Sequence, residues 1–280
     1  MTISWTCGLV AALGAALGVA SGGEPWAGGA RVGWEELAAR ARAARVVYVG
    51  EEHGRAEHHL LQRDLLAVLA DAGPAVLACE YFPRSLQPVL DRFNAGTLSL
   101  DELPAALDWE RTWGHPWPAY EPLFRLCRER GVSVVALNAE RALTDRVRRE
   151  GLAALPLPEL LTLPRVDLGV AAHRRRVEAR LQAVHPLPPE ALARYYEAFT
   201  LWDEAMADGV CDLLLRDRRP DLRVLVVAGV AHIETGAGVP DRVTRRAPLP
   251  RLVVVADSGG EATDDAADVV VRFVAPGAWY

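Results

Sequence analysis

Five short runs rich in β-branched residues punctuate the chain: Arg45 to Gly50, Ala75 to Cys79, Val132 to Leu137, Arg223 to Ala228 and Arg251 to Val255, with Val269 to Val274 as a plausible sixth. They are apolar almost throughout instead of alternating with polar residues, and a strand can tolerate that only when both of its faces are covered. Such runs indicate a parallel sheet between helical layers. Helical stretches separate them. Glu57 to Ala72 stops at Gly73-Pro74, Glu121 to Arg130 stops at Gly131, and Ser99-Leu100-Asp101-Glu102 has the form of a capping box. The expectation is an α/β fold: a mostly parallel sheet flanked by helices, with an inserted helical subdomain. The insertions are placed at about 84–120 and 139–222, the latter holding the proline clusters Leu155 to Pro158 and His185 to Pro189.

A chain of 280 residues, 51% apolar and 24% charged, buries a real core, which excludes disorder and small disulfide scaffolds. A net charge of −6 leaves no basic footprint, so no nucleic-acid partner is expected. All 31 basic residues are Arg. Without a lysine the chain cannot build a P-loop, a pyridoxal Schiff base or a Ser-Lys hydrolase. None of its serines sits in a G-x-S-x-G elbow.

The apolar run Gly8 to Ala20, followed by Ser21-Gly22-Gly23, has the form of a signal-peptide core with a small-residue cleavage site, although Met1 to Thr6 carries no basic residue. The expected organisation is a signal peptide over 1–20 and one α/β domain over 21–280, in an exported protein of the periplasm or cell envelope. Cys7 precedes the apolar run, so a lipid anchor is not supported. Cys79, Cys127 and Cys211 lie in apolar segments without C-x-x-C spacing and read as buried small hydrophobes.

Ligands of an open parallel sheet bind outside the carboxyl ends of its strands. Gly50-Glu51-Glu52-His53 follows the first run and Gly229-Val230-Ala231-His232 the fourth, while Glu80 and Asn138 end the second and third. Four strand ends bearing ligand or acid–base side chains point to one pocket, the alternative being a cluster that only ties the helical subdomain to the sheet. On the following helix His58 and Gln62, four apart, are expected to share a face while His59 looks elsewhere; either His58 faces the pocket or both histidines cap and solvate the helix start. Trp109 to Tyr120 gathers three Trp, a Tyr and His115 in a proline-broken segment, suited either to walling a flat ligand or to packing a loop on a helix. Arg174-Arg175-Arg176 reads as a solvated helix face, with capture of anionic groups as its functional reading.

Gly50-Glu51-x-His53 followed by His58-His59-x-x-Gln62 resembles the opening signature of the ChaN-like haem-binding uptake proteins of the Tiki and erythromycin-esterase superfamily. Glu80-x-Phe82, Gln87, Trp109, Trp113, Tyr120, Asn138, Trp202-Asp203-x-x-Met206-Ala207 and Gly229-x-x-His232 follow in that family's order, over roughly residues 45–240. The resemblance implies an exported bacterial α/β protein of haem-iron acquisition. Related branches are metal-dependent proteases or ester hydrolases using the same strand-end positions. Tyr81 stands where the family usually has an apolar residue, and the family's lipoprotein cysteine is missing.

Two functions follow from this resemblance. In the first the protein binds haem, with Tyr120 and Tyr81 as the leading iron ligands, His53, His58, His115 and His232 as alternatives, and Arg for the propionates. Haem or haem-delivery proteins are then the partners, and a homodimer the expected assembly. In the second, His53, Glu80 and His232 hold a divalent ion (Zn, Mn or Fe), and Glu51 or Glu52 takes a proton from its water.

Overall fold

The computed structural model describes residues 22–184, 186–217 and 219–273. The expected signal peptide, His185 and Val274 lie outside them. Among the described residues eight strands form one sheet, in the order β2-β1-β8-β7-β3-β6-β4-β5. The strands are β1 (Glu24–Ala27), β2 (Ala30–Arg31), β3 (Val46–Glu51), β4 (Ala75–Pro83), β5 (Ser133–Asn138), β6 (Arg223–Gly229), β7 (Arg251–Asp257) and β8 (Val269–Arg272). From β8 to β5 every neighbouring pair is parallel. The fold is α/β, with a mostly parallel sheet flanked by helices.

Burial explains why these runs are apolar on both faces. Val47 and Val49 of β3 and Leu225 and Val227 of β6 face one core, with α1 (Trp34–Ala43), α2 (Ala56–Ala72) and α6 (Trp117–Arg130) over it. Val46, Tyr48, Val224 and Val226 face the other. Each fully buried Leu or Val contributes about 1.5–3 kcal/mol relative to leaving it in water.

The antiparallel edge was not anticipated. β1 and β2 are joined by Gly28 and Gly29, at φ of 55° and 79°, the positive-φ pair that a two-residue hairpin turn requires. β1 then pairs antiparallel with β8. The Gly-Gly dipeptide was the available signal.

Between β4 and β5 lie α3 (Gln87–Asn94), α4 (Leu103–Ala106), α5 (Trp109–Thr112) and α6. Ser99 and Glu102 form the capping box reciprocally, Glu102 N–H to Ser99 Oγ at 3.2 Å and Ser99 N–H to Glu102 Oε2 at 3.0 Å. The helix after it ends within a turn, before Asp108 adopts a left-handed conformation. Between β5 and β6 lie α7 (Arg141–Glu150), α8 (Leu157–Leu160), α9 (Ala171–Val184) and α10 (Pro189–Arg216). The 28-residue α10 has two jobs. Ala198 and Leu201 pack with Val147 and Leu155 of the helical insertion. Met206, Ala207 and Val210 lie on the sheet. One continuous helix therefore couples the insertion to the core. After β6 come the single turn α11 (Val230–Ile233) and α12 (Val239–Arg246).

Candidate functional site

β3, β6, β4 and β5 are consecutive in the sheet, so their carboxyl ends form one continuous rim. His53 follows β3, His232 sits in α11 directly after β6, and Asn138 is the last residue of β5. Glu80 does not end its strand. β4 runs on to Pro83 beside β5, but its pairing with β6 stops at Cys79 opposite Val227. The sheet parts there, and Glu80 enters the gap: its Oε2 accepts the Gly229 N–H at 2.6 Å, while Oε1 lies 3.5 Å from His232 Nε2. Gly229 keeps His53 close to this pair. A Cβ at position 229 would stand 2.9 Å from Cε1 and Nε2 of His53 and 3.6 Å from Glu80 Oε2.

Each rim histidine is backed by a buried carboxylate. His53 Nδ1 donates to Glu51 Oε1 at 2.8 Å, which leaves Nε2 as a lone-pair donor. Glu51 Oε2 accepts from Tyr81 Oη at 2.7 Å and Gln62 Nε2 at 2.5 Å. Burial would raise the pKa of Glu51, but hydrogen bonds from His53 and His59 outweigh it and hold the carboxyl well below its usual range. Burial likewise works against a charged His53, and the Glu51 hydrogen bond with the Glu80 charge reverses that, raising its pKa. His232 Nδ1 donates to Asp203 Oδ1 at 2.7 Å. Its pKa is raised against burial by the Glu80 charge and the Asp203 hydrogen bond. Asp203 is itself held at about 2, the hydrogen bonds from His173 and His232 overcoming its burial. Phe199 stacks on His232 with centroids 4.3 Å apart and planes 9° apart.

The other expected site residues are distributed differently. Tyr120 is fully buried, its hydroxyl accepts the Gly54 N–H at 3.0 Å, and its ring lies 3.8 Å from that of His59. Tyr81 is buried to 1% exposure with its hydroxyl committed to Glu51. Burial, then the Glu51 charge, raises the pKa of both phenols, so neither readily offers a phenolate. His58 lies away from the rim cluster. Its Nδ1 accepts the Glu52 N–H at 3.0 Å, so the proton resides on Nε2, 2.8 Å from Ser258 Oγ at the end of β7. It is His59, not His58, that meets Gln62, at 3.3 Å, because the buried Glu51 carboxylate draws the Gln62 amide inward. His115 is half-buried, 5.6 Å from the rings of His53 and Trp113. Burial and the His53 charge lower its pKa. Glu52 turns toward Arg55 and the Ser258 N–H. With both Glu51 oxygens engaged by side chains, neither acid is placed as a free base over His53, Glu80 and His232. Those three side chains do converge, yet among the described residues no group of three or more His, Cys, Asp or Glu side chains has the arrangement to hold a metal ion.

Beyond the rim, the sheet and the helical insertion enclose a cleft of about 880 Å³, within the size range of small-molecule sites. Trp113, Phe199 and Trp202 wall it, with Tyr81 and Asn138 at its floor and Arg111, Arg141 and Arg148 in its lining. Trp113 stands edge-on to His53 at 4.8 Å and Trp202 edge-on to His232 at 5.7 Å, so the aromatic walls join the cleft to the histidine cluster. Trp109 and Trp117 turn the other way, lining with His115 a separate surface cavity of about 550 Å³. The aromatic segment is thus divided between the cleft lining and packing. Trp113 reaches the cleft, whereas Trp109 packs among Tyr81, Phe82, Tyr120 and Phe124.

The sequence matches the family model described as haem-binding uptake, Tiki superfamily, ChaN, over residues 37–243. The chain belongs to this family. A solved structure of Campylobacter jejuni ChaN, described as cofacial heme binding, superposes on this ChaN-family chain with a TM-score of 0.73 at 21% identity, covering 90% of this chain and 97% of that one. At that identity the likeness shows the shared fold. The protein RETICULATA-RELATED 5, chloroplastic, of Arabidopsis thaliana is 28% identical over 262 residues, covering 83% of this chain; the chain spans about a third of that relative's length, 33%. Among the described residues of this ChaN-family member no helix is long and apolar enough to cross a membrane.

Several site residues had no local signal in the sequence. His173, fully buried, lies 2.8 Å from Asp203 Oδ2 through Nε2, and the fully buried Arg242 reaches Glu204 at 3.1 Å and Asp203 at 3.5 Å. Charges this deep persist because they are paired. Arg176 is no solvated residue: it is bonded to the carbonyls of Ala231 and Glu234, tying α9 to the turn that carries His232. Arg174 pairs with Glu178 at 2.7 Å.

Proposed function

We propose that the protein is an exported haem-binding protein of haem and iron uptake, and that it carries haem as cargo in the cleft between the sheet rim and the helical insertion. The observation that carries this reading is the cleft itself: an aromatic-walled space of about 880 Å³ bordered by arginines and joined through Trp113 to His53. A porphyrin needs flat apolar walls, cations for its carboxylates and an imidazole or phenolate for its iron.

Of the candidate ligands, His53 suits iron best. Its Nδ1–H is held by the Glu51 carboxylate, which fixes the ring and leaves Nε2 to donate, as in metal-binding histidines generally. It is also the most open of the strand-end pair, with its side chain 34% exposed against 7% for His232. Family membership supports the haem reading. The apolar run at residues 8–20 supports export. Haem-delivery proteins as partners and a homodimer as the assembly belong to the same proposal.

Titration of the purified protein with haemin, followed in the Soret region, tests it. The expected result is a saturable shift in the wild type, and in His53→Ala a changed band position with haemin affinity at least tenfold weaker. Absence of any saturable change in the wild type would remove haem as the ligand.

A further inference from the structure

Glu51 is buried, yet its two carboxylate oxygens are used unequally. Among the described residues Oε1 meets one side-chain donor, His53 Nδ1 at 2.8 Å. Around Oε2 three stand together: Gln62 Nε2 at 2.5 Å, Tyr81 Oη at 2.7 Å and His59 Nδ1 at 3.3 Å. The distances fix where the protons go. Tyr81 Oη also lies 3.0 Å from Gln62 Oε1, but its one proton goes to the nearer, charged acceptor. The Gln62 amide can face only one way, because turned over it would set its own oxygen against the carboxylate. Its Oε1 then accepts from His59 Nδ1 at 3.3 Å.

These donors come from separate elements. Gln62 and His59 stand on α2, and Tyr81 on β4, which β6 separates from the β3 strand of Glu51. Tyr81 reaches across from beyond Cys79, where the pairing of β4 with β6 has stopped. Held on Oε2 from two other elements, the carboxylate has no freedom to turn, so Oε1 stays aimed at His53. Each donor also draws charge from the carboxylate, so one shared in this way accepts less strongly from the imidazole. The proton therefore stays on Nδ1, and Nε2 carries the lone pair of a neutral imidazole instead of an imidazolate. We propose that Tyr81 and Gln62 are positioning residues for His53, fixing the Glu51 carboxylate and moderating its pull so that the rim presents a neutral imidazole to iron. The inference rests on the haem reading and deepens it. A moderated ligand holds ferric iron less firmly than a fully polarised one, which suits a protein that hands its cargo on.

The test reads the His53 Nδ1–H proton by NMR in the full chain without haem, at mildly alkaline pH, the resonance being identified by its loss in His53→Ala. In Tyr81→Phe and in Gln62→Met, each checked for native circular dichroism, it is expected to move downfield, because Glu51 relieved of one donor accepts more strongly from His53. Tyr48→Phe removes a buried phenol from the same strand on the opposite core and is expected to leave the resonance in place. In haemin titrations Tyr81→Phe is expected to bind about threefold more tightly than the wild type, the size of a modest gain in ligand basicity. An unmoved resonance in both variants, or an equal movement in Tyr48→Phe, overturns the inference. A haemin affinity in Tyr81→Phe at or below that of the wild type does the same and leaves haem binding standing. If no protein binds haemin saturably, the haem reading fails, while the resonance still decides whether Tyr81 and Gln62 set His53.

Discussion

The contact between Gly229 and His53 is a close joint of the rim, and it can be probed by adding one methyl group. Gly229 has φ −54° and ψ 142°, a conformation open to alanine, so Gly229→Ala introduces no backbone strain. What it introduces is a Cβ 2.9 Å from Cε1 and Nε2 of His53, where carbon contacts settle at about 3.5–4.0 Å. The ring must retreat by about half an ångström or more. It cannot do so freely, because Nδ1 is bonded to Glu51 at 2.8 Å and Trp113 stands edge-on at 4.8 Å. Overpacking of this kind costs about 1–3 kcal/mol. In a His53→Ala background the obstacle is gone, and the same methyl group is expected to cost less than about 0.5 kcal/mol, a residue typical of uncoupled sites. Urea denaturation of the wild type, both single variants and the double variant gives the coupling directly, and haemin titration of Gly229→Ala is expected to show weakened binding. Strictly additive stability changes around the cycle would refute the reasoning, since they would mean that residue 229 does not hold the imidazole in place.

Two further outcomes test the buried polar framework. Tyr120→Phe is expected to cost about 1 kcal/mol in thermal or urea unfolding, from loss of the acceptor for the Gly54 N–H, with no movement of the haemin Soret band; a moved band would make the phenol an iron ligand after all. Asp203 has its folded-state pKa depressed to about 2 against roughly 3.9 in the unfolded chain, so its contribution is present above about pH 4 and is lost as pH falls through about 2. The wild type should therefore lose roughly 2 kcal/mol more than Asp203→Asn between pH 6 and pH 2, and an equal loss in the two proteins would count against the ionised aspartate between His173 and His232.

The strands were legible because burial on both faces leaves a local trace. Val46 to Val49 and Val224 to Val227 are apolar at consecutive positions, which only a two-sided sheet requires. The edge hairpin leaves little trace beyond Gly28-Gly29, because its strands are only four and two residues long. The rim was legible for the same reason as the strands: the residue following a buried parallel strand must emerge at its carboxyl end, and His53 and His232 do. Helix phase was the weaker guide. The spacing of His58 and Gln62 suits one face, but His58 bonds Ser258, just past β7, and Gln62 bonds Glu51 of β3, so each polar group has its partner at a different strand end.

By itself, then, the order of residues determined the two-sided sheet, the rim on which the histidines stand and the family to which the chain belongs. Tertiary structure alone decided which acids back those histidines, that Tyr81 and Tyr120 are committed inside, and that α5 and α7 bring arginines to one cleft. The reason is physical. Apolar burial is a property each segment carries along its own length, whereas a buried hydrogen bond needs a partner at a defined distance. Those partners lie far apart in the chain: Glu80 and Gly229 are separated by 149 residues, Asp203 and His232 by 29.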